Sequence, residues 1–249
     1  MILLPAIDIL GGKAVRLAKG DFEAKTEYDT DPLEAARRWV ADGARSLHVV
    51  DLDGARSGSP QNLAHIERIA GAVDVPVQVG GGLRNAGAVR DAIGAGAARV
   101  VVGTAAYTDV DFIDAVLVEY GDRVVVSVDV RAGKLATAGW THQTEIPAES
   151  VIQQLGCRGV QRFVYSNIER DGMLEGPDLS EVQRVARTVR GSFIYSGGVS
   201  TLDDLHALVA LRQVNLAGVI VGKALYERRF EVAQAQAILD GDRQDGTRR

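Results

Sequence analysis

Eight short apolar runs recur along the chain and predict buried β-strands. Most of them are nearly continuous in valine and isoleucine, a pattern typical of parallel strands that are covered on both faces. Segments with the 3.6-residue apolar spacing of amphipathic helices separate these runs. The predicted strands cover residues 2–8, 46–52, 75–80, 98–103, 123–129, 161–166, 192–196 and 217–222.

Three of the helical segments are preceded by residues that favour helix N-termini. Asp31 stands directly before Pro32, while Asn85 and Thr201 precede apolar positions at helical spacing. Side chains of Asp, Asn and Thr accept hydrogen bonds from the free N–H groups of a first helical turn, and proline is tolerated there. We therefore predict helices that start at these three positions, the first ending near Gly43.

Strand and helix alternate throughout, which is compatible with a closed (β/α)8 barrel or with an open doubly wound sheet. An internal repeat favours the barrel, because residues 78–89 align with 194–205 and residues 60–63 with 176–179, both at an offset of 116. A module of four βα units leaves an unpaired sheet edge on each side, and joining two copies removes both edges. We predict an α/β fold of the TIM-barrel type, built from two homologous half-barrels.

The repeat also sets the expected domain organisation. We expect one barrel over residues 1–242, with half-barrels at about 1–120 and 121–242, and a polar C-terminal tail over residues 243–249. Residues 131–146, after the fifth predicted strand, form an excursion that is too short for a helix.

Composition and charge exclude several classes of protein. A chain of 249 residues with 46% hydrophobic and 24% charged residues can bury a large core as one barrel, which excludes disorder as its main state. Its net charge of −5 gives no overall positive field for a nucleic-acid backbone, and no apolar run reaches the length of a membrane span. We expect a monomer with neither nucleic-acid nor membrane partners.

Cysteine, histidine and glycine patterns narrow the chemistry further. Cys157 is the single cysteine, so no intrachain disulfide can form, and we expect a cytoplasmic protein. The four histidines have no metal-ligand spacing, and the glycines do not match a nucleotide triphosphate or dinucleotide loop. We expect neither a metal nor a cofactor.

Two aspartates end the first and fifth apolar runs, Asp8 and Asp129. Ligands of such barrels bind at the carboxyl ends of the strands, and strands one and five face each other across the barrel. The pair suits acid–base work on one substrate, provided that burial or a substrate phosphate raises the pKa of one carboxyl. The alternative is that each aspartate only caps the loop that follows it.

Glycine-rich segments end four other strands and form two matched pairs. Glycine lets backbone N–H groups approach an anion, and a helix start adds partial positive charge. Two such sites on opposite sides of the mouth imply a substrate with a phosphate at each end, whereas a single pair would equally reflect turn geometry. The paired segments are residues 80–84 with 102–105, and residues 196–200 with 221–224.

Polar and aromatic residues near the fifth and sixth strands complete the candidates. Ser166 offers a hydroxyl at the mouth, and Asp171 with Gly172 forms an acidic turn. Trp140 either stacks on a planar ring or covers the top of the barrel. We interpret His48, which lies inside an apolar strand, as a satisfied core residue rather than a base.

In sequence, the chain resembles the ProFAR isomerases of histidine biosynthesis over roughly residues 1 to 240. The motifs that carry the resemblance are PAIDILGGKAVRL, VVDLDGA, GGGLR, VGTAA, SVDVRAGKLATAGW, NIERDG, SGGVS and VGKALY, in this order. The resemblance implies a cofactor-free Amadori rearrangement, in which the aminoaldose end of ProFAR becomes the aminoketose of PRFAR. Both molecules carry two phosphates.

The resemblance also implies roles for individual residues. Asp8 is implied as the base that takes the C2′ proton, and Asp129 as the acid that assists ring opening. Ser166 keeps the hydroxyl of a family threonine, although the following Asn167 replaces the usual acidic residue. The implied substrate contacts are Gly82, Arg84, Gly103 and Thr104 at one phosphate, Gly198, Gly222 and Lys223 at the other, and Asp171 and Gly172 at the turn.

Three alternatives stay open at this point. The related cyclase barrel of the same pathway has a cysteine and a lysine near the positions held here by Ala6 and Arg16. A dual-substrate isomerase would also act on phosphoribosylanthranilate of tryptophan biosynthesis, by the same acid–base chemistry. A non-catalytic phosphate-binding barrel would use the two aspartates only as caps.

Overall fold

The computed structural model describes residues 1–241 and contains a closed barrel of eight parallel strands. The polar tail predicted over residues 243–249 lies outside the described residues. Within them the strands are β1 (Ile2–Leu10), β2 (Lys13–Ala18), β3 (Asp21–Asp29), β4 (Leu47–Asp51), β5 (Val77–Gly80), β6 (Arg99–Val102), β7 (Val124–Arg131), β8 (Lys134–Thr137), β9 (His142–Pro147), β10 (Arg162–Asn167), β11 (Ser192–Ser196) and β12 (Leu216–Val221).

The barrel strands follow one another in the order β1, β4, β5, β6, β7, β10, β11 and β12. The ring is closed because β12 pairs with β1 and β10 pairs with both β7 and β11, all in parallel. These eight strands are the ones that the apolar runs predict, and each predicted boundary is within two residues of the observed one. The predicted TIM-barrel fold is therefore confirmed, while the boundaries of the half-barrels stay predictions.

Helices cover the outside of the barrel, and the three predicted helix starts are confirmed. The side chains of Asp31, Asn85 and Thr201 each accept a backbone N–H of the following turn, and Thr201 forms a capping box with Asp204. The α-helices are α1 (Pro32–Ala41), α2 (Leu52–Ser57), α3 (Leu63–Ala72), α4 (Ala86–Gly94), α5 (Ala105–Thr108), α6 (Val110–Tyr120), α7 (Ala148–Cys157), α8 (Leu179–Thr188), α9 (Leu202–Ala210), α10 (Lys223–Tyr226) and α11 (Val232–Asp240).

Two apolar clusters hold the fold together. The larger one lies between the outer faces of the strands and the helices. The smaller one fills the barrel interior with side chains of Leu4, Ala6, Val101, Val125, Val164, Ile194 and Ile220. Interior positions two residues further along several strands are polar, among them Asp8, Ser127 and Ser166. The interior therefore changes from apolar to polar towards the carboxyl ends of the strands.

Two antiparallel hairpins extend from the carboxyl ends of β1 and β7. Strand β1 pairs with β2, which pairs with β3, and β7 pairs in the same way with β8, which pairs with β9. Asp8 and Asp129 consequently lie two residues inside their strands rather than at the last position, because pairing with the hairpins prolongs both strands. The predicted excursion over residues 131–146 holds no helix before Ala148 and contains β8 and most of β9.

Candidate active site

A cavity opens at the carboxyl ends of the barrel strands, where the interior becomes polar. Asp8 and Asp129 both line it, and its volume is about 1230 Å³ when the space open to solvent is included. Three barrel strands separate β1 from β7 in either direction around the ring, so the two carboxyls lie on opposite walls. The predicted catalytic pair therefore faces one shared space.

Asp8 is buried in an ion pair on one wall. Nη1 of Arg16 donates to Oδ2 of Asp8 at 2.8 Å, and both side chains are largely shielded from solvent. Burial raises the pKa of Asp8 to about 6; the positive charge of Arg16 opposes this rise, and the negative charge of Asp171 adds to it. Asp8 is thus mostly a carboxylate at neutral pH and can accept a proton.

Asp129 on the opposite wall is surrounded by neutral donors. The Ser127 hydroxyl donates to its Oδ1 at 2.6 Å, and Ser166 and Trp140 also hydrogen-bond to the carboxyl. Burial raises the pKa of Asp129, and the three hydrogen bonds partly offset the rise by stabilising the anion. The environments of the two aspartates differ, because only Asp8 has a cation as its direct partner.

A second acidic group, Asp171, completes the wall around Arg16. Its Oδ1 lies 3.5 Å from Nη2 of Arg16, so the guanidinium contacts both Asp8 and Asp171. The turn after β10 brings Asp171 there, and the backbone N–H of Lys19 donates to the Asp171 carbonyl at 3.1 Å. Gly172 follows with φ of 70°, and a Cβ there would lie 2.7 Å from the Leu17 carbonyl oxygen.

Sequence reasoning gave Arg16 no place in this site. The sequence signal for Arg16 was its position inside the apolar segment KAVRLA, which is buried as β2. A buried charge is rarely tolerated without a partner of opposite charge. Its partners, however, are 8 and 155 positions away in sequence, and the fold alone brings them together.

The first predicted phosphate site lines the same cavity. Gly82 has φ of 74°, and Gly103 has open space where a Cβ would point. Nη2 of Arg84 donates to the carbonyl of Ala55 at 2.9 Å. Oγ1 of Thr104 accepts the N–H of Ala138 at 3.0 Å, which connects this loop to the turn between β8 and β9.

The residues of the second predicted phosphate site lie outside the cavity lining, and one of them, Gly222, lies behind Arg16. Gly198, Gly222 and Lys223 do not line the cavity, and neither does Gly172. They adjoin it: Gly222 packs directly against the Arg16 guanidinium, and Nζ of Lys223 donates to the Gly172 carbonyl at 2.9 Å. The structure thus brings one predicted anion site into the cavity and leaves the other at its edge.

Trp140 lies over the cavity, where the two hairpins meet. It belongs to the turn between β8 and β9 and has φ of 72°. Gly20, in the turn between β2 and β3, packs against the indole ring so closely that a Cβ there would overlap it. The hairpins from opposite walls therefore contact each other above the mouth.

His48 is buried with a partner, as the sequence predicts, but it also lines the cavity. Nδ1 of His48 lies 3.0 Å from the side-chain amide nitrogen of Gln78, so the two buried side chains share a hydrogen bond. Burial and the positive charge of Arg16 lower the pKa of His48 to about 4, which makes the ring neutral at pH 7. His48 is therefore a neutral polar group in the cavity wall.

Over residues 1–241 no group of three or more metal-ligating side chains comes together. In the same part of the chain, no helix has both the length and the apolar character needed to cross a bilayer.

Comparison with known families identifies the group of proteins to which this barrel is related. The sequence model of a family described as "Histidine biosynthesis protein" matches residues 2–231, which is most of the chain. The chain belongs to this family.

Curated members of the family resemble the chain over almost its whole length. A relative from Desulforudis audaxviator is 46% identical and covers 96% of this chain and 91% of its own length. Relatives from Brevibacillus brevis and Gloeothece citriformis are 45% and 43% identical, cover 96% and 98% of this chain, and each match over 96% of their own length. All three are named as isomerases of an imidazole-4-carboxamide that bears a 5-phosphoribosyl and a 5-phosphoribosylamino-methylideneamino group.

Proposed function

We propose that this family member is a ProFAR isomerase, which converts the aminoaldose ProFAR to the aminoketose PRFAR in histidine biosynthesis. The observation that carries the proposal is the placement of two buried aspartates, with different partners, on opposite walls of one cavity. The names of the similar relatives support the substrate class, and they favour an isomerase over the cyclase of the same pathway.

The proposed reaction moves one proton along the sugar and leaves the composition of the substrate unchanged. Asp129 donates a proton to the ring oxygen as the C1′–O bond breaks, which gives an open-chain protonated imine. Asp8 then removes the proton from C2′ to form the enolamine. Asp8 returns that proton to C1′, and the Asp129 carboxylate takes the proton of the 2′-hydroxyl to give the ketone. Each aspartate returns to its starting protonation state, so no cofactor and no metal are required.

The two residues suit these roles for electrostatic reasons. A base must be ionised at the working pH, and the ion pair with Arg16 keeps Asp8 in that form. An acid must hold a proton, and burial of Asp129 without a cationic partner favours the protonated form. Ser166 hydrogen-bonds to the Asp129 carboxyl and serves to orient it.

The remaining parts of the proposed site hold the ends and the ring of the substrate. We assign one phosphate to Gly82, Arg84, Gly103 and Thr104, and Trp140 to stacking on a planar ring. The other phosphate is assigned to Gly198, Gly222 and Lys223, which adjoin the cavity beside the turn of Asp171 and Gly172. Binding of this second phosphate requires access to residues that the cavity wall separates from the main space.

The proposed enzyme works as a cytoplasmic monomer on a bis-phosphorylated small molecule, without a nucleic-acid partner. The single, unpaired Cys157 fits a reducing compartment. One chain supplies the entire proposed site, so a second copy is not needed to complete it. Analytical ultracentrifugation of the purified protein checks the monomer.

The decisive experiment is an assay of the purified protein with ProFAR, followed by detection of PRFAR. Turnover of ProFAR supports the proposal, and its absence under conditions where the protein is folded overturns it. A parallel assay with phosphoribosylanthranilate separates a single-substrate from a dual-substrate isomerase. Binding of PRFAR without turnover of ProFAR would instead indicate the non-catalytic phosphate-binding barrel.

A further inference from the structure

A buried carboxylate lies beneath the sixth barrel strand, and the proposed reaction leaves it without a role. Glu181, in the first turn of α8, is 3% exposed. Its Oε1 accepts the hydroxyl of Tyr165 at 2.7 Å, and its Oε2 accepts Nδ2 of Asn167, also at 2.7 Å. Arg184, on the solvent side, is 3.9 Å away. Such a buried charge is expensive unless its hydrogen bonds are made, and here two neutral donors make them.

Asn167 connects this carboxylate to the loop that enters the cavity. While its Nδ2 donates to Glu181, its Oδ1 accepts the backbone N–H of Arg170 at 3.2 Å. The Asn167 carbonyl also accepts the N–H of Asp171 at 3.0 Å. The turn that delivers Asp171 to Arg16 is therefore built on one amide side chain, and Glu181 fixes the orientation of that amide.

The other half of the barrel also has a hydrogen bond between a carboxylate and an amide at the equivalent strand position, but it joins that strand to a different position in the chain. The offset of 116 that aligns the halves places Asp51 over Asn167. Asp51 ends β4, and its Oδ1 accepts Nδ2 of Asn62 at 2.7 Å. Gly81 packs against the Asp51 carbonyl, as Gly197 packs against that of Asn167. The offset of 116 aligns Asn62 with Asp178 and Glu181 with His65, so the two hydrogen bonds share only their strand position.

We propose that Glu181 is a positioning residue of the active site: through Asn167 it holds the turn over residues 167–172 so that Asp171 stays against Arg16, and Arg16 against Asp8. The effect on turnover rests on the proposed isomerase function, while the effect on geometry does not. Glu181 lies outside the cavity and touches no reacting atom, so it acts through the loop alone.

The hydrogen bond between Asn167 and Glu181 requires one amide and one carboxylate, so changing either group tests it. An aspartate at position 167 would still accept the N–H of Arg170, so the turn itself would keep its hydrogen bond. Two carboxylates would then face each other where Nδ2 of Asn167 now donates at 2.7 Å. They would have to separate or share a proton. Replacing Glu181 by Gln in the same chain restores an acid–amide pair with the two groups exchanged.

The experiment compares N167D, E181Q, the double variant N167D/E181Q and the control Y165F with the wild-type chain. Y165F removes the other hydrogen bond of Glu181 and leaves the link to Asn167 in place. We expect N167D to lower kcat/KM for ProFAR by about tenfold or more, mainly in kcat, as for a slightly misplaced catalytic group. The kcat/KM of the double variant should return to within about threefold of wild type, because the hydrogen bond between positions 167 and 181 is restored.

The control and the pH dependence separate positioning from general support of the fold. Y165F should lower the melting temperature and keep kcat/KM within about twofold of wild type. The defect of N167D should be smaller at pH 6 than at pH 8, because a proton shared by the two carboxyls restores the hydrogen bond at the lower pH. Wild-type kcat/KM in N167D, or no recovery in a folded double variant, overturns the proposal.

Crystal structures of N167D and of the double variant give a readout that is independent of turnover. The distance between Arg16 and Asp171, 3.5 Å in the wild-type chain, should lengthen in N167D and return in the double variant. If the wild-type chain does not convert ProFAR, the isomerase function is overturned, and this distance still decides the positioning role. An unchanged distance in N167D contradicts that role.

Discussion

Arg16 sets the charge state of the wall on which Asp8 lies. Its guanidinium contacts both Asp8 and Asp171, so one buried cation faces two buried carboxyl groups. Burial alone would push the pKa of Asp8 further upwards, and the cation limits the rise to about 6. The capacity of Asp8 to accept a proton at neutral pH therefore depends on a residue 8 positions away along the hairpin.

Replacement of either cavity aspartate by asparagine tests its chemical role. Asp8→Asn and Asp129→Asn keep the size of each side chain and remove the carboxyl group that accepts or donates the proton. We expect each variant to lose at least about 100-fold in kcat, the usual scale for a general acid or base, with little change in melting temperature. Steady-state kinetics with ProFAR and thermal melting measure the two effects, and wild-type kcat in either variant would refute its role.

The pKa shifts of the two aspartates predict a bell-shaped pH profile. Asp8 acts as a base, so kcat/KM should fall as the pH drops below about 6 and its carboxylate is protonated. Asp129 acts as an acid with a raised pKa, so kcat/KM should fall again as the pH rises through that pKa. Initial rates between about pH 5 and about pH 9 give the profile. An acid limb that persists unchanged in the residual activity of Asp8→Asn would exclude Asp8 as its source.

Single residues were predictable where chain position alone implied function. Asp8 and Asp129 follow apolar strand segments, and the ends of such strands line the mouth of a barrel. Arg16, Ser127 and His48 were missed as site residues, because their roles come from contacts that only the fold creates. Ser127 gave a weak signal, since it precedes Asp129 by two positions and so shares its face of the strand.

Among the elements, the barrel strands were predictable and the hairpins over the mouth were not. Barrel strands are covered on both faces, which requires the runs of valine and isoleucine that mark them. Strand β3 has the sequence DFEAKTEYD and β9 the sequence HQTEIP, and both are mostly exposed. Without a buried face they carry no apolar run, so hydrophobic patterning did not find them.

Contact between the hairpins makes Gly20 a sensitive position. A methyl group there would overlap the ring of Trp140, which lines the cavity. We expect Gly20→Ala to displace Trp140 and to lower kcat/KM for ProFAR by about tenfold, because a displacement of about 1 Å in a binding group is costly. Steady-state kinetics measure the loss.

Gly11→Ala is the matched control for backbone strain. Gly11 also has a positive φ, of 57° against 74° at Gly20, and it lies in the turn before β2 with open space where an added Cβ would point. Both variants should lose about 1 kcal/mol of stability, since alanine disfavours this conformation. Equal kinetic losses in both variants would attribute the effect to strain and not to the contact with Trp140.

On the scale of the whole molecule, the internal sequence repeat predicts both the closure of the barrel and two phosphate sites across its mouth. The repeat could be recognised in the sequence because equivalent glycine segments recur at a fixed offset. It did not reveal that the segment 80–84 lines the cavity, that Gly198 and Gly222 do not, and that Gly222 packs against Arg16. Arg16 fills the space beside Gly222.

The proposed substrate predicts two anion sites across the mouth. A crystal grown in phosphate buffer should show one ion at Gly82, Gly103 and Thr104 and another at Gly198, Gly222 and Lys223. Binding to the second site should be accompanied by movement of the Arg16 side chain, because Gly222 packs against it. Occupancy of only one of the two loop pairs at saturating phosphate would count against a substrate with two phosphates.

The unequal surroundings of Asp8 and Asp129 give the barrel a direction that its duplicated scaffold lacks. A molecule with similar groups at both tips fits a twofold frame in either sense, so the tips alone do not select an orientation. The cation beside one carboxyl and the ring of hydroxyl and indole donors around the other do select it. A ligand inserted back to front would present its sugar to the wrong wall, so a ligand with matching phosphate tips and an asymmetric centre should occupy the cleft in a single orientation.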